Sequence, residues 1–89
     1  MIELKREENV IGVFGLGYVG LPLSLTFCRA GFQVVGFDID PEKIAKLNDG
    51  QSYIQHIGSE GISQSVKKGL FRSTTNFAEL ISCDALIVC

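Results

Sequence analysis

The sequence predicts an α/β chain built on a parallel sheet, and three observations carry that prediction. An apolar run, Val10 to Phe14, leads straight into G-x-G-x-x-G at Gly15, Gly17 and Gly20. A segment of helical length with an apolar face follows, and a second apolar run, Gln33 to Phe37, delivers the acidic Asp38. An acid about 20 residues beyond such a glycine turn, with a strand before it and a helix after it, marks a βαβ unit that binds a dinucleotide. A lone G-x-G-x-x-G is common by chance; in this context it points to a Rossmann-type doubly wound parallel sheet and to NAD.

The elements follow in order. Met1 to Asn9 is a charged extension, without the apolar core or small-residue cleavage site of a secretory signal. Residues 10–89 form the sheet and its helices. The first strand spans Val10 to Phe14. The first helix runs from Tyr18 to Ala30, with Pro22 tolerated in its first turn and Gly31 as its stop. Gly20, Ser24 and Cys28 share one face at i, i+4 and i+8, a small-residue stripe that lets the helix lie close to the strand, while Leu21, Leu23, Leu25, Phe27 and Ala30 bury the rest. The second strand is Gln33 to Phe37. The second helix is Pro41 to Leu47, capped by Asp40 and ended by Asn48-Asp49-Gly50. Gln51 to Gly58 reads as a loop. A third helix runs from Ser59 or Glu60 to Lys68, with Ile62 and Val66 inward and Gly69 as its stop. A short strand, Phe71 to Ser73, a helix, Asn76 to Ser82, and a buried fourth strand, Ala85 to Cys89, complete the reading. A full doubly wound domain has six strands, so these four read as its N-terminal, truncated portion.

The candidate site is the glycine-rich turn, Gly15, Leu16, Gly17, Tyr18, Val19 and Gly20, together with Asp38. Gly15 permits the tight strand-to-helix turn, and Gly17, lacking a Cβ, lets a pyrophosphate approach the main chain. The amides of Tyr18 and Val19 open the helix, where unpaired N–H groups and the positive dipole end favour an anion. Asp38 is placed to accept hydrogen bonds from the adenosine ribose hydroxyls and to repel a 2′-phosphate. Residues 39 to 42 hold no Arg or Lys, and Asp40 adds a second negative charge, so NAD is expected over NADP.

At these residues the chain resembles a known family. Ile11 to Leu23, I-G-V-F-G-L-G-Y-V-G-L-P-L, with F-D-I-D-P-E-K-I at Phe37 to Ile44, looks like the start of the nucleotide-sugar (UDP-glucose/GDP-mannose) 6-dehydrogenases. The Tyr-Val before the third glycine and the Leu-Pro after it are far more specific than the glycines. Gly50 to Ile57, G-Q-S-Y-I-Q-H-I, resembles the branch that oxidises UDP-N-acetylglucosamine or a close relative. Thr74 to Leu80 and Cys83 to Cys89 resemble the family's passage into its fourth strand. The resemblance implies oxidation of a sugar C6 alcohol to a carboxylate in two NAD-dependent steps through a cysteine-bound intermediate. It places that cysteine, and the lysine and aspartate that assist it, far downstream of Cys89. No catalytic residue is therefore expected in this chain, the UDP-sugar substrate is expected to meet a missing C-terminal part, and the chain alone is expected to be inactive. The resemblance also implies that Lys43 contacts the adenosine side of NAD; a solvated helix lysine is the other reading. The parent is expected to be a cytoplasmic homo-oligomer.

Composition narrows the alternatives. The chain is 46% hydrophobic with a net charge of −2, which is globular and offers no basic face for nucleic acid. No apolar run approaches the roughly 20 residues that span a bilayer. Three cysteines, an odd number without C-x-x-C spacing, argue against a secreted disulfide framework and fit a reducing compartment. Cys28 and Cys89 read as small core residues and Cys83 as partly exposed. His56 stands in the loop with Tyr53 and Gln55, either bordering a substrate or subunit contact or packed beside Tyr53. No metal site is expected, because no second His or Cys stands at ligand spacing. Two other classes share the opening motif. Dinucleotide-sensing modules of channels and transporters bind without hydride transfer, and 3-hydroxyacid-type dehydrogenases begin I-G-V-F-G-L-G but lack the Tyr-Val-Gly-Leu-Pro run.

Overall fold

The structure, a computed structural model, describes residues 9–54 and 57–89. The lead-in before Asn9 and the loop residues Gln55 and His56 lie outside the described residues. The described chain alternates strand and helix: β1 (Val10–Phe14), α1 (Gly20–Arg29), β2 (Gln33–Phe37), α2 (Pro41–Asn48), α3 (Ser59–Lys67), β3 (Phe71–Thr74), a 3-10 helix (Phe77–Ser82) and β4 (Ala85–Val88).

Parallel pairing sets the architecture. The strands form one sheet in the order β3-β2-β1-β4. β1 and β2 run in step from Val10↔Gln33 to Phe14↔Phe37, and β4 joins β1 from Ile11↔Ala85 to Phe14↔Val88. β2 and β3 pair from Val34↔Phe71 to Phe37↔Thr74. All four strands therefore end level, and the residues just after them, Gly15, Asp38, Thr75 and Cys89, gather at one edge of the sheet. In open parallel sheets this carboxyl edge is where ligands bind.

Alternation along each strand sends Ile11, Val13, Val34 and Phe71 to one face. There they are wholly or almost wholly buried with Leu21, Leu25 and Cys28 of α1, Leu47 of α2 and Ile62 of α3 in one apolar cluster. Burying a leucine such as Leu47 completely stabilises the fold by about 2 kcal/mol. The close approach of α1 is set by Gly20, where a Cβ would lie 1.7 Å from the Gly15 carbonyl oxygen. Ser24 keeps its buried hydroxyl satisfied by donating to the Gly20 carbonyl at 2.7 Å. On the opposite face Phe77 of the 3-10 helix packs against Phe14 and Phe37, with ring centroids 5.0 and 6.3 Å apart.

Strands β1 and β2 fall on their expected residues, and four expectations are corrected. Helix α1 begins at Gly20 rather than Tyr18, because Val19 is its N-cap and the first helical bond runs from the Leu21 N–H to the Gly17 carbonyl at 3.1 Å. At its other end Ala30 is the exposed C-cap, since Gly31 at φ 96° turns the chain away from the core. The helix before β4 is a 3-10 helix that starts at Phe77 rather than Asn76, which is its cap; such tight turns are frequent connectors. Strand β4 is not buried. A continuous apolar run reads as a strand covered on both faces, yet among the described residues β4 is the outermost strand beside β1, with Leu86 and Val88 exposed and Cys89 exposed beyond them. Cys28 is buried and Cys83 partly exposed, as expected.

At the other edge, Asn48 of α2 acts as a surrogate strand. Its Nδ2 donates to the Ser73 carbonyl at 3.0 Å and its Oδ1 accepts the Ser73 N–H at 3.1 Å. Replacing Asn48 with Ala leaves both backbone groups to water and is expected to lower the unfolding free energy by about 1 to 2 kcal/mol. Urea titration followed by circular dichroism checks this, and an unchanged midpoint would show that the pair contributes nothing.

Candidate cofactor-binding site

The glycine-rich turn rises from the carboxyl end of β1, and its three glycines answer different demands. Gly15 adopts φ +96°, its N–H donates to the Phe37 carbonyl at 2.8 Å, and a Cβ there would lie 2.7 Å from the Cys89 carbonyl oxygen. Gly20 is fixed by the close contact already described. Both are required by the chain's own backbone. Gly17 is not: its φ is not positive, and a Cβ built on it meets nothing within 4 Å. The space beside Gly17 is open, and it forms part of a groove of about 350 Å³, within the range of small-molecule sites.

The start of α1 borders that space. Val19 makes no side-chain capping bond, and the first turn contains no acidic residue. The amides of Tyr18, Val19 and Gly20 precede the first helical hydrogen bond, and donors in that position attract anions. The Tyr18 and Val19 side chains stand out at 78% and 67% exposure, so no apolar packing holds them away from a ligand.

Asp38 holds the turn from the end of β2. Its Oδ2 accepts the Leu16 N–H at 3.0 Å and its Oδ1 accepts the Asp40 N–H at 3.0 Å. Burial pushes the Asp38 carboxyl up, but the bonds from Leu16 and Asp40 and the charge of Lys43 outweigh it and hold the group below the ordinary carboxylate range. An ionised carboxylate offers about four acceptor sites, so two amides leave capacity for ribose hydroxyls. Asp40 takes the separate role of N-cap to α2, accepting the Glu42 N–H at 2.9 Å.

Of the expected site residues, Gly17, Tyr18 and Lys43 line the groove. Leu16 lies behind it. Its side chain is fully buried over Gly36, where a Cβ would come within 2.8 Å of the leucine methyls. Its N–H is engaged by Asp38 and its carbonyl by the Tyr53 hydroxyl. Leu16 therefore fixes the turn and has no free amide to offer. Lys43 is half-buried, with its Nζ 5.5 Å from the centroid of the Tyr53 ring. Tyr53 and Ile54 complete the wall of the groove. Sequence reading missed both, because a contact across 37 residues leaves no periodic trace in a short polar loop.

The chemistry within reach is binding chemistry. Burial pushes the Cys28 thiol up to about 11, against a hydrogen bond with Ser65 and the charge of Arg29. Burial also raises Cys83, partly offset by Arg72. Neither is an activated thiolate of the kind nucleophilic catalysis needs. Among the described residues, no group of three metal-ligating side chains is brought together, and no helix is long and apolar enough to cross a membrane.

The direction of the Asp38 shift fixes a pH dependence. A carboxyl held lower in the folded than in the unfolded state contributes stability above its unfolded pKa and loses it as the pH falls through the folded value. The stability difference between the wild-type chain and Asp38→Ala is expected to be constant above about pH 5 and to shrink steadily below it. Urea titrations at a series of pH values measure it, and a difference that grows on acidification would reverse the assignment.

Comparison with known proteins agrees with this geometry. Residues 9–89 match the model of the UDP-glucose/GDP-mannose dehydrogenase family, NAD binding domain. The chain is 36% identical over 83 residues to a UDP-N-acetyl-D-mannosamine dehydrogenase of Pyrococcus horikoshii, covering 89% of this chain and 19% of that protein. It is 38% identical over 81 residues to a GDP-mannose 6-dehydrogenase of Pseudomonas putida, covering 89% and 18%. The chain thus spans about a fifth of the length of these relatives. Among solved structures it superposes on a GDP-mannose dehydrogenase from Pseudomonas aeruginosa with a TM-score of 0.84 at 32% identity, covering 89% of this chain and 19% of that one. A UDP-glucose dehydrogenase from Pyrobaculum islandicum gives 0.86 at 25% identity, covering 100% and 21%. With its glycine turn, level parallel strands and acid at the end of β2, the chain belongs to the UDP-glucose/GDP-mannose dehydrogenase family, in the NAD-binding domain.

Proposed function

We propose that this chain supplies the adenosine and pyrophosphate half of the NAD site of a nucleotide-sugar 6-dehydrogenase. The observation that carries the reading is the contrast among the glycines: Gly15 and Gly20 are demanded by the chain itself, whereas Gly17 faces open space that a Cβ would enter. A glycine without an internal reason, at the mouth of a groove and beside uncapped helix amides, fits close approach of a phosphate to the main chain. The amides of Tyr18 and Val19 would hold the pyrophosphate. Asp38 would accept the ribose hydroxyls, and Asp38 and Asp40 together would repel a 2′-phosphate. Lys43 would stand beside the adenosine. When bound, NAD supplies the hydride acceptor; the residues of this chain bind and orient it.

The finer reading concerns the substrate. The loop G-Q-S-Y-I-Q-H-I supports a UDP-N-acetylhexosamine, with UDP-N-acetylglucosamine first, and one relative is named for UDP-N-acetyl-D-mannosamine. The product would be the corresponding uronic acid, made in the cytoplasm.

In the complete protein, Gly17→Val is expected to abolish NAD binding by calorimetry while leaving the circular dichroism unchanged. Normal NAD affinity in that folded variant would remove the pyrophosphate from the turn. Asp38→Ala is expected to weaken NAD binding by about 1.5 to 3 kcal/mol, the range for hydrogen bonds to a charged group; an unaltered dissociation constant would take Asp38 out of the ribose contact.

A further inference from the structure

Tyr53 lies outside the glycine-rich fingerprint and its acid, yet it touches both sides of the groove. Its hydroxyl donates to the carbonyl of Leu16, inside the glycine-rich turn, and its ring lies beneath the Lys43 ammonium of α2 at 5.5 Å. We propose that Tyr53 is a positioning residue for the dinucleotide, fastening the glycine-rich turn with its hydroxyl and holding the Lys43 cation in the groove with its ring. The proposal rests on the NAD reading of the groove.

The physical argument starts at the Leu16–Gly17 peptide. In a trans peptide the carbonyl and the next N–H point in opposite directions, so a bond that fixes the Leu16 carbonyl also fixes where the Gly17 N–H points. Asp38 already holds the Leu16 N–H at 3.0 Å. With Tyr53 on the carbonyl, Leu16 is held at both of its backbone groups, and its side chain is locked in the core. The turn is then set before any ligand arrives. Ordering a loop at the moment of binding weakens affinity, and a loop ordered in advance avoids that loss.

The ring acts on the other wall. A Lys side chain is long and rotamer-rich, and an exposed one spends little time in any single place. Seated over the Tyr53 ring, the Lys43 ammonium is retained in the groove beside Asp38 and contributes to keeping that carboxylate ionised. Burial and the neighbouring charges of Asp38 and Asp40 push the Tyr53 hydroxyl up to about 12, so it remains a donor throughout the neutral range.

Calorimetric titration of the complete protein with NAD tests the two functions of the residue separately. Tyr53→Phe keeps the ring and deletes the donor; it should weaken NAD binding about fivefold, the value of one ordinary hydrogen bond. Tyr53→Leu removes both and should weaken binding about 10- to 25-fold. Combined with Lys43→Met, the Phe variant should give additive losses, whereas the Leu variant should give less than the sum, because the lysine loses its seat when the ring goes. A purely structural tyrosine would lower the melting temperature without this pattern. If Tyr53→Phe and Tyr53→Leu bind NAD as the wild type does while Gly17→Val does not, the proposal is wrong and the NAD reading stands. If the wild type binds no NAD, both fall.

Discussion

The hydrogen bond from the Leu16 amide to the Asp38 carboxylate is the constraint on which the rest of the site depends. It joins the turn after β1 to the end of β2, and it forms only because those strands pair in step as far as Phe14↔Phe37. A slip of one residue would turn every side chain of β2 to the other face and carry Asp38 away from the turn. The register in turn is held by the burial of Ile11, Val13 and Val34 under α1. Hydrophobic packing on one face of the sheet thus determines the position of a charge at its edge.

The same chain of dependence explains how a slightly acidic protein accommodates an anionic ligand. Attraction for phosphate is assigned to backbone amides at the start of α1, a fixed dipole that needs no counter-charge. Side-chain charge is then free for selection. In the proposed site Asp38 and Asp40 would face a second phosphate, while Lys43 lies nearby over the Tyr53 ring. On the proposed reading, recognition would be divided between main chain, which is general, and side chains, which discriminate.

What the sequence disclosed followed from what is local. Strands β1 and β2 were legible to the residue because each is an apolar run bounded by glycine or charge, and Asp40 was legible as a cap because Pro41 follows it. The exposure of Leu86 and Val88 in β4 was not legible, because an apolar run is the same whether or not other elements cover its faces. The three glycines were legible as a motif but not in their separate causes, since the close contacts of Gly15 with Cys89 and of Gly20 with Gly15 exist only after folding. The contact of Tyr53 with Leu16 was invisible for the same reason, being made by tertiary structure alone.

The side-chain pairing of Asn48 with Ser73 blunts one edge of the sheet. An unpaired strand edge is a template that any passing extended segment can extend, and soluble proteins commonly blunt such edges. Here the amide of Asn48 mimics one residue of a neighbouring strand, so an intruder at β3 must first displace it. Accidental strand addition is thereby discouraged on that flank.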